Sequence, residues 1–314
     1  MILNNGKIYF DGDQHKYSGG VYLHTQPHQF SLSIITLMNN LQSAILELLQ
    51  NYVQCEYPLS LEQIQRMLTV KVSRKELNET LQRMRDQQLI TSHETRHWYT
   101  IRGHEITFRR REERVVLSKN KQAILDKFVN LLCDFPGINT VILTGSLALD
   151  NAKVSDDIDL MIITAPDTMF ICRLYVFVLA KILGLARKRS VETQPDAICV
   201  NIWLDGSNLV VPISKVSVYS AREIVNVRVI IDRNSMFDDF IYQNRWIDEK
   251  LPNWEYQIQN TKSRVPSAKI QTSKTLTRFL NGLLGRAQLW YMRPHITNEI
   301  VGITQLWFHP KLRY

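Results

Sequence analysis

Thr144-Gly145-Ser146 and, after ten intervening residues, Asp157-Ile158-Asp159 are the residues of this chain best suited to chemistry. Side chains alternate along a strand, so Asp157 and Asp159 project from one face, two residues apart. Two carboxylates held side by side repel each other, and a divalent cation relieves that repulsion. Oxygen ligands of this kind suit Mg²⁺, or Mn²⁺ in its place, with water and substrate phosphates completing the shell. A Gly-Ser turn offers backbone N–H groups and a hydroxyl to a phosphate tail. Thr144 and Gly145 would shape that turn, and Ser146 would meet the phosphates.

Two apolar strands must carry these groups. Val141-Ile142-Leu143 leads into the turn, and Leu160-Met161-Ile162-Ile163 leads away from the dyad. Turn, gap, dyad and flanking strands together resemble the signature of the DNA polymerase β-type nucleotidyltransferase superfamily, over roughly residues 120 to 215. The resemblance implies a small mixed sheet, an NTP substrate and two metal ions held by Asp157 and Asp159. An attacking hydroxyl would displace pyrophosphate in line. It also implies a third carboxylate on a later strand. In 197–204, Ile198, Val200, Ile202 and Leu204 would share one face, with Cys199, Asn201 and Trp203 on the other. Asn201 then stands where the superfamily places an acid, and a neutral amide holds metal more weakly. Asp196 and Asp205, at the strand ends, are the alternatives.

The expected class is α+β, with the nucleotidyltransferase core between an N-terminal winged helix and a C-terminal helical region. Residues 1–117 would hold a strand-like start, with a turn at Gly19-Gly20, and the winged helix. A helix near 41–52 comes first. Ser60-Leu61-Glu62-Gln63 and Ser73-Arg74-Lys75-Glu76 read as capping boxes opening two more. The last of these, Arg74 to Gln88, is the recognition helix, with Leu77, Leu81 and Met84 on one face. A hairpin joins 89–91 to 97–101. Its partner is nucleic acid or protein in equal measure, since Glu76, Glu79 and Asp86 share that helix. Arg109, Arg110, Arg111 and Arg114 follow, either on a phosphate backbone or on a solvated helix start.

The catalytic domain would span 118–218: a helix 122–133, the two strands, an apolar helix 168–185, a basic stretch Arg187-Lys188-Arg189, then 197–204 paired with 209–213. Asp156 reads as facing away from the dyad. Lys153 reads first as a solvated lysine and Arg173 as a snorkelling arginine, with contact to a phosphate as the lesser reading for both. From 219 to 314 the chain reads as helical and basic, with Phe237, Phe240, Ile241, Trp246, Ile247 and Leu251 as a core stripe.

The net charge of +8 lies wholly in residues 260–314, which hold nine basic residues and one acid, Glu299; residues 1–259 balance at 29 of each. Phe279, Trp290, Tyr291, Trp307, Phe308 and Tyr314 interleave with those cations. Cations beside stacking aromatics are the usual equipment for single-stranded nucleic acid, here RNA. Four scattered cysteines show no zinc spacing and fit a reducing cytoplasm. Segment 168–185 is interrupted by Arg173 and Lys181, so it reads as a buried helix and no membrane partner is expected.

The expected activity is transfer of an NMP from an NTP to a hydroxyl, foremost an RNA 3′ end such as that of a tRNA. A second expectation is nucleotidylation of a protein or small molecule, as in toxin–antitoxin-like relatives. A third is a non-catalytic, nucleotide-sensing regulator with a DNA-binding winged helix, favoured by the missing third acid.

Overall fold

The structure, a computed structural model, describes residues 2–4, 7–9, 40–187, 194–256, 274–296 and 299–308. By internal contacts the chain divides into Met1–Met38 and Asn39–Tyr314. In the first unit, strands β1 (Ile2–Asn4) and β2 (Lys7–Tyr9) pair antiparallel. Gly19-Gly20 lies outside the described residues.

The second unit is α+β. It opens with α1 (Asn40–Gln54), β3 (Leu59–Ser60), α2 (Leu61–Met67), α3 (Arg74–Asp86), β4 (Ile90–Ser92) and β5 (Trp98–Ile101). Ser60 forms the full capping box: its hydroxyl accepts from the Gln63 N–H, and the Gln63 side chain accepts from the Ser60 N–H. Ser73 accepts from the Glu76 N–H in the same way. Leu77, Leu81 and Met84 on α3 are buried against α1 and α2. The three strands pair antiparallel in the order β3-β5-β4. Three helices and this sheet make up an N-terminal module over residues 40–101.

The next helix, α4 (Ile106–Leu132), is far longer than the expected 122–133. The boundary expected at 117/118 falls inside it. Arg109 is exposed and Arg110 partly exposed, paired with Glu113 and Glu56 respectively, whereas Arg111 and Arg114 are held inside. The Arg111 guanidinium lies between the Tyr57 and Trp98 rings, 4.2 and 4.1 Å from their centroids. Arg114 is buried, paired with Glu56, and donates to the Asn151 side chain and the Cys55 carbonyl.

A six-stranded mixed sheet follows, in the order β10-β11-β8-β7-β6-β9. β6 (Ile138–Leu143) runs antiparallel to β7 (Ile158–Thr164), which runs parallel to β8 (Ile198–Asp205). The helix α5 (Gly145–Ala148) follows β6, and α6 (Met169–Ile182) follows β7. Leu209–Pro212 is not the strand partner of β8. Its backbone instead bonds to the side chains of Asn244 and Gln305, and Pro212 has no N–H to donate. The antiparallel neighbour of β8 is β11 (Gln305–Trp307), itself paired with β10 (Ile300–Val301). The wholly helical expectation for 219–314 therefore fails at these strands.

It fails again at β9 (Arg228–Asp232), which lies between α7 (Val218–Val225) and α8 (Met236–Gln243) and closes the other sheet edge against β6. The run Val227, Val229, Ile230 and Ile231 is β-branched and suits a strand better than a helix. Beyond α8 come α9 (Trp246–Lys250) and α10 (Lys274–Met292).

Two apolar layers flank the sheet. One holds Leu125, Phe128, Phe170 and Val176 of α4 and α6 beneath Val141, Leu143, Leu160 and Ile162. The other sets Ile142, Met161 and Ile163 against α7, α8, α9 and the N-terminal module as one continuous cluster. Phe128 and Phe170 are fully enclosed, and truncating either to alanine costs ~3–5 kcal/mol. Among the described residues no helix is long and apolar enough to cross a membrane.

Candidate functional site

Parallel pairing of β7 with β8 sets Asp159 opposite Cys199. Asp157 lies just before β7, and its side chain is 13% exposed. Ligand atoms of Asp157, Asp159 and Cys199 lie within 4.8 Å of one another, the only such acidic, thiol or imidazole group among the described residues.

The turn after β6 is fitted to this dyad. The Thr144 N–H donates to the Asp159 carbonyl at 3.0 Å. Gly145 has φ +66, and a Cβ placed on it would meet Asp159 Oδ2 at 2.5 Å. Glycine is thus required twice, for the left-handed backbone and for the close approach. The buried Thr144 hydroxyl has no partner among the described residues, so the turn keeps a donor unspent. Ser146 is already engaged: its hydroxyl donates to Asp156 Oδ2 at 2.8 Å. Asp156 also accepts from the Lys153 N–H, so it braces the turn.

Asn201 lies beside Asp159, as expected, but for a reason its alternation alone does not supply. The β7–β8 register shifts between Leu160 and Met161, passing over Asn201 as a bulge. Ile198, Val200 and Trp203 therefore share the layer under α4 and α6, while Ile202 and Leu204 join the other. The expected single face of Ile198, Val200, Ile202 and Leu204 is split. Asn201 Nδ2 donates to Asp159 Oδ1 at 2.5 Å, and Asn201 Oδ1 accepts from the Cys199 thiol at 3.1 Å.

Neither alternative acid reaches the dyad. Asp196 is paired with the buried Lys121 at 2.7 Å, and Lys121 also holds the Val154 and Asp156 carbonyls. Asp205, at the far end of β8, accepts from the Asp167 and Ser207 N–H groups. Lys153 leans towards Glu56 at 3.9 Å. Arg173 lies in the opposite layer, bonded to Gln288 and stacked over Phe308, and burial lowers its pKa to about 10.

Two residues at the site carried no sequence signal of their own. Arg187 Nη1 lies 3.5 Å from Asp157 Oδ2 and 3.2 Å from Cys199 Sγ, inside a stretch that read only as basic. Lys188 and Arg189 lie outside the described residues. Glu223, on α7, adds a negative charge that raises the pKa of both Asp159 and Cys55. The C-terminal half of α7 thus lies in the electrostatic neighbourhood of the dyad.

Burial, and then the Asp157 charge, push the Asp159 carboxyl up to about 7, against the lowering hydrogen bond from Asn201. Burial and the same carboxylates push the Cys199 thiol up to about 12, with Arg187 opposing. A negative site this concentrated favours a cation. The two carboxylates fit a hard divalent ion, whereas the neutral thiol and amide add little to holding one. Two open concavities of about 640 and 620 Å³ lie elsewhere, on the N-terminal module around Arg85, and carry both charge signs. No protein-family model matches the chain, and no significant match exists among curated proteins or solved structures.

Proposed function

We propose that this chain is a nucleotidyltransferase that moves an NMP from an NTP to a hydroxyl. The observation that carries the reading is the Asp157–Asp159 pair packed against the positive-φ turn at Gly145. Asp157 and Asp159 would hold Mg²⁺ or Mn²⁺. When bound, the metal supplies charge neutralisation and Lewis-acid polarisation at the α-phosphate. The Thr144 hydroxyl and the turn amides would take triphosphate oxygens, and Ser146 would keep the turn in shape through Asp156. Arg187, beside Asp157, is the cation best placed to follow the leaving phosphates. The hydroxyl oxygen bonds to the α-phosphorus as the bond to the β-phosphate breaks.

An RNA 3′ end is the first acceptor to test. Its support is the charge of 260–314, where Lys262, Arg264, Lys269, Lys311 and Arg313 lie outside the described residues. Trp307 and Phe308 do not contribute a stacking platform, since both pack against the sheet or its α6 layer. A second reading, a nucleotide-sensing regulator without turnover, draws on the neutral Asn201 and on an Arg187 that already neutralises Asp157.

The test incubates the protein with each α-³²P-labelled NTP, Mg²⁺ or Mn²⁺, and total RNA, beside an Asp157→Ala/Asp159→Ala variant. Label in RNA from the wild type alone supports the first acceptor. Label on protein or a small molecule keeps the chemistry and changes the acceptor. NTP binding without label in any product sinks the enzyme and leaves the regulator.

A further inference from the structure

α10 is apolar on two faces. Its inward face sets Leu284, Leu289 and Met292 on the α6 layer beside polar and small residues. Asn281 Oδ1 accepts from the Phe170 and Ile171 N–H groups, satisfying two first-turn donors of α6. Gln288 bonds Arg173 and the Phe170 carbonyl, and Gly285 lies so close that a Cβ there would touch the Phe170 ring at 2.8 Å. The outward face carries Leu276, Phe279, Leu280, Leu283 and Trp290, with Phe279 67% and Trp290 74% exposed. Their spacing of three, four and seven residues places them in one stripe along the helix. A contiguous exposed apolar stripe of this kind marks an interaction surface.

Charge selects the occupant. Arg286 on one flank of the stripe and Arg293, in the 3-10 turn Arg293–His295 that follows α10, make no ion pair among the described residues. Arg278, behind them, is the one arginine of this helix with an acid in reach, Asp167 at 3.7 Å. A second copy of the chain would bring the same uncompensated cations to the interface. Aliphatic Leu276, Leu280 and Leu283 gain nothing from a base, which stacks on aromatics. A flat anionic bilayer meets cations on both sides of an inserted stripe, whereas these line one. An apolar seam with cations along one edge matches an amphipathic helix with acids along its facing edge.

We propose that the outer face of α10 docks an acidic amphipathic helix of a partner protein. The face lies across the sheet from Asp159, since α10 packs on the α6 layer while Asp159 shares the side of Met161 and Ile163. Docking is therefore independent of the nucleotidyl-transfer reading.

The probe is a labelled synthetic peptide as long as α10, with leucines at helical seam spacing and glutamates along one edge. A twin peptide carries lysine for every glutamate. Anisotropy titrations use the full chain, Phe279→Ser/Leu283→Ser and Arg286→Glu/Arg293→Glu, with circular dichroism confirming that each exposed-site variant is folded. The expected result is saturable, salt-weakened binding of the acidic peptide only, reduced about tenfold or more by either variant. Absent binding, equal binding of the lysine twin, or binding unchanged in both variants overturns the proposal. So does self-association, phosphatidylserine-vesicle binding or oligouridylate binding that is lost in Phe279→Ser/Leu283→Ser while the acidic peptide fails to bind.

Discussion

Gly145 and Asp159 are in contact distance in a way that forbids any side chain on the former: a Cβ there would lie 2.5 Å from Asp159 Oδ2. The turn and the dyad are thus one fitted unit. Gly145→Ala should lose ~1–3 kcal/mol to backbone strain alone and displace Asp159 as well. Gly103→Ala, also at positive φ (+87) but with nothing within 4 Å, is the control. Thermal melts should show both destabilised, while Mn²⁺ binding falls only in Gly145→Ala. Equal loss or equal retention of Mn²⁺ would separate the turn from the site.

Asp159 gives stability an inverted pH dependence. Its carboxyl titrates near 7 in the fold, against roughly 3.9 when unfolded. Between these values the folded state binds the extra proton, so this contribution is complete below pH ~4 and is lost as pH rises through 7. The loss is on the order of 4 kcal/mol at 1.36 kcal/mol per unit. Without metal, Asp159→Asn should melt above the wild type at pH 8 and lose that advantage at pH 4. A variant less stable than wild type at pH 8 would contradict the charge crowding.

The N-terminal module is secured near the site by Arg114, which bridges Glu56, the Cys55 carbonyl and Asn151. Arg114→Ala leaves the Asn151 amide and the Cys55 carbonyl without this donor while Glu56 keeps Arg110 and Lys153, and should cost ~1–3 kcal/mol. Limited proteolysis should then open the Gln54–Pro58 corner first. Unchanged cleavage and melting would show that the apolar cluster alone holds the contact.

Asn201 donates to Asp159, so Asn201→Asp replaces an attraction with a third like charge. The variant should be ~2–4 kcal/mol less stable than wild type at pH 8 without metal. Millimolar Mn²⁺ should return most of that loss, because three carboxylates hold the ion better than two. Destabilisation that Mn²⁺ does not repair would mean that the bulge at Asn201 does not face the ion.

Local signals were legible and long-range ones were not. The Gly145 turn and the Ser60 box are each written within a few residues, and both form there. The bulge that turns Ile202 away from Val200 depends on pairing with Leu160 and Met161, some forty residues earlier, which alternation within β8 does not contain. β9 and β11 are short and acquire strand geometry only from β6 and β8. Arg187 read as one of three basic residues because its partner, Asp157, is brought to it by the β7–α6–β8 crossover. Asp196 was open as a ligand until the buried Lys121 accounted for it.

The most direct test of the central claim is an electron paramagnetic resonance titration of Mn²⁺ into the wild type and into Asp157→Ala/Asp159→Ala at pH 7.5, with NTP present. The account predicts a saturable site in the wild type, uptake of Mn²⁺ with release of the part of the Asp159 proton still held at that pH, and no such site in the double variant. Equal Mn²⁺ binding by both proteins, with both folded, would contradict it.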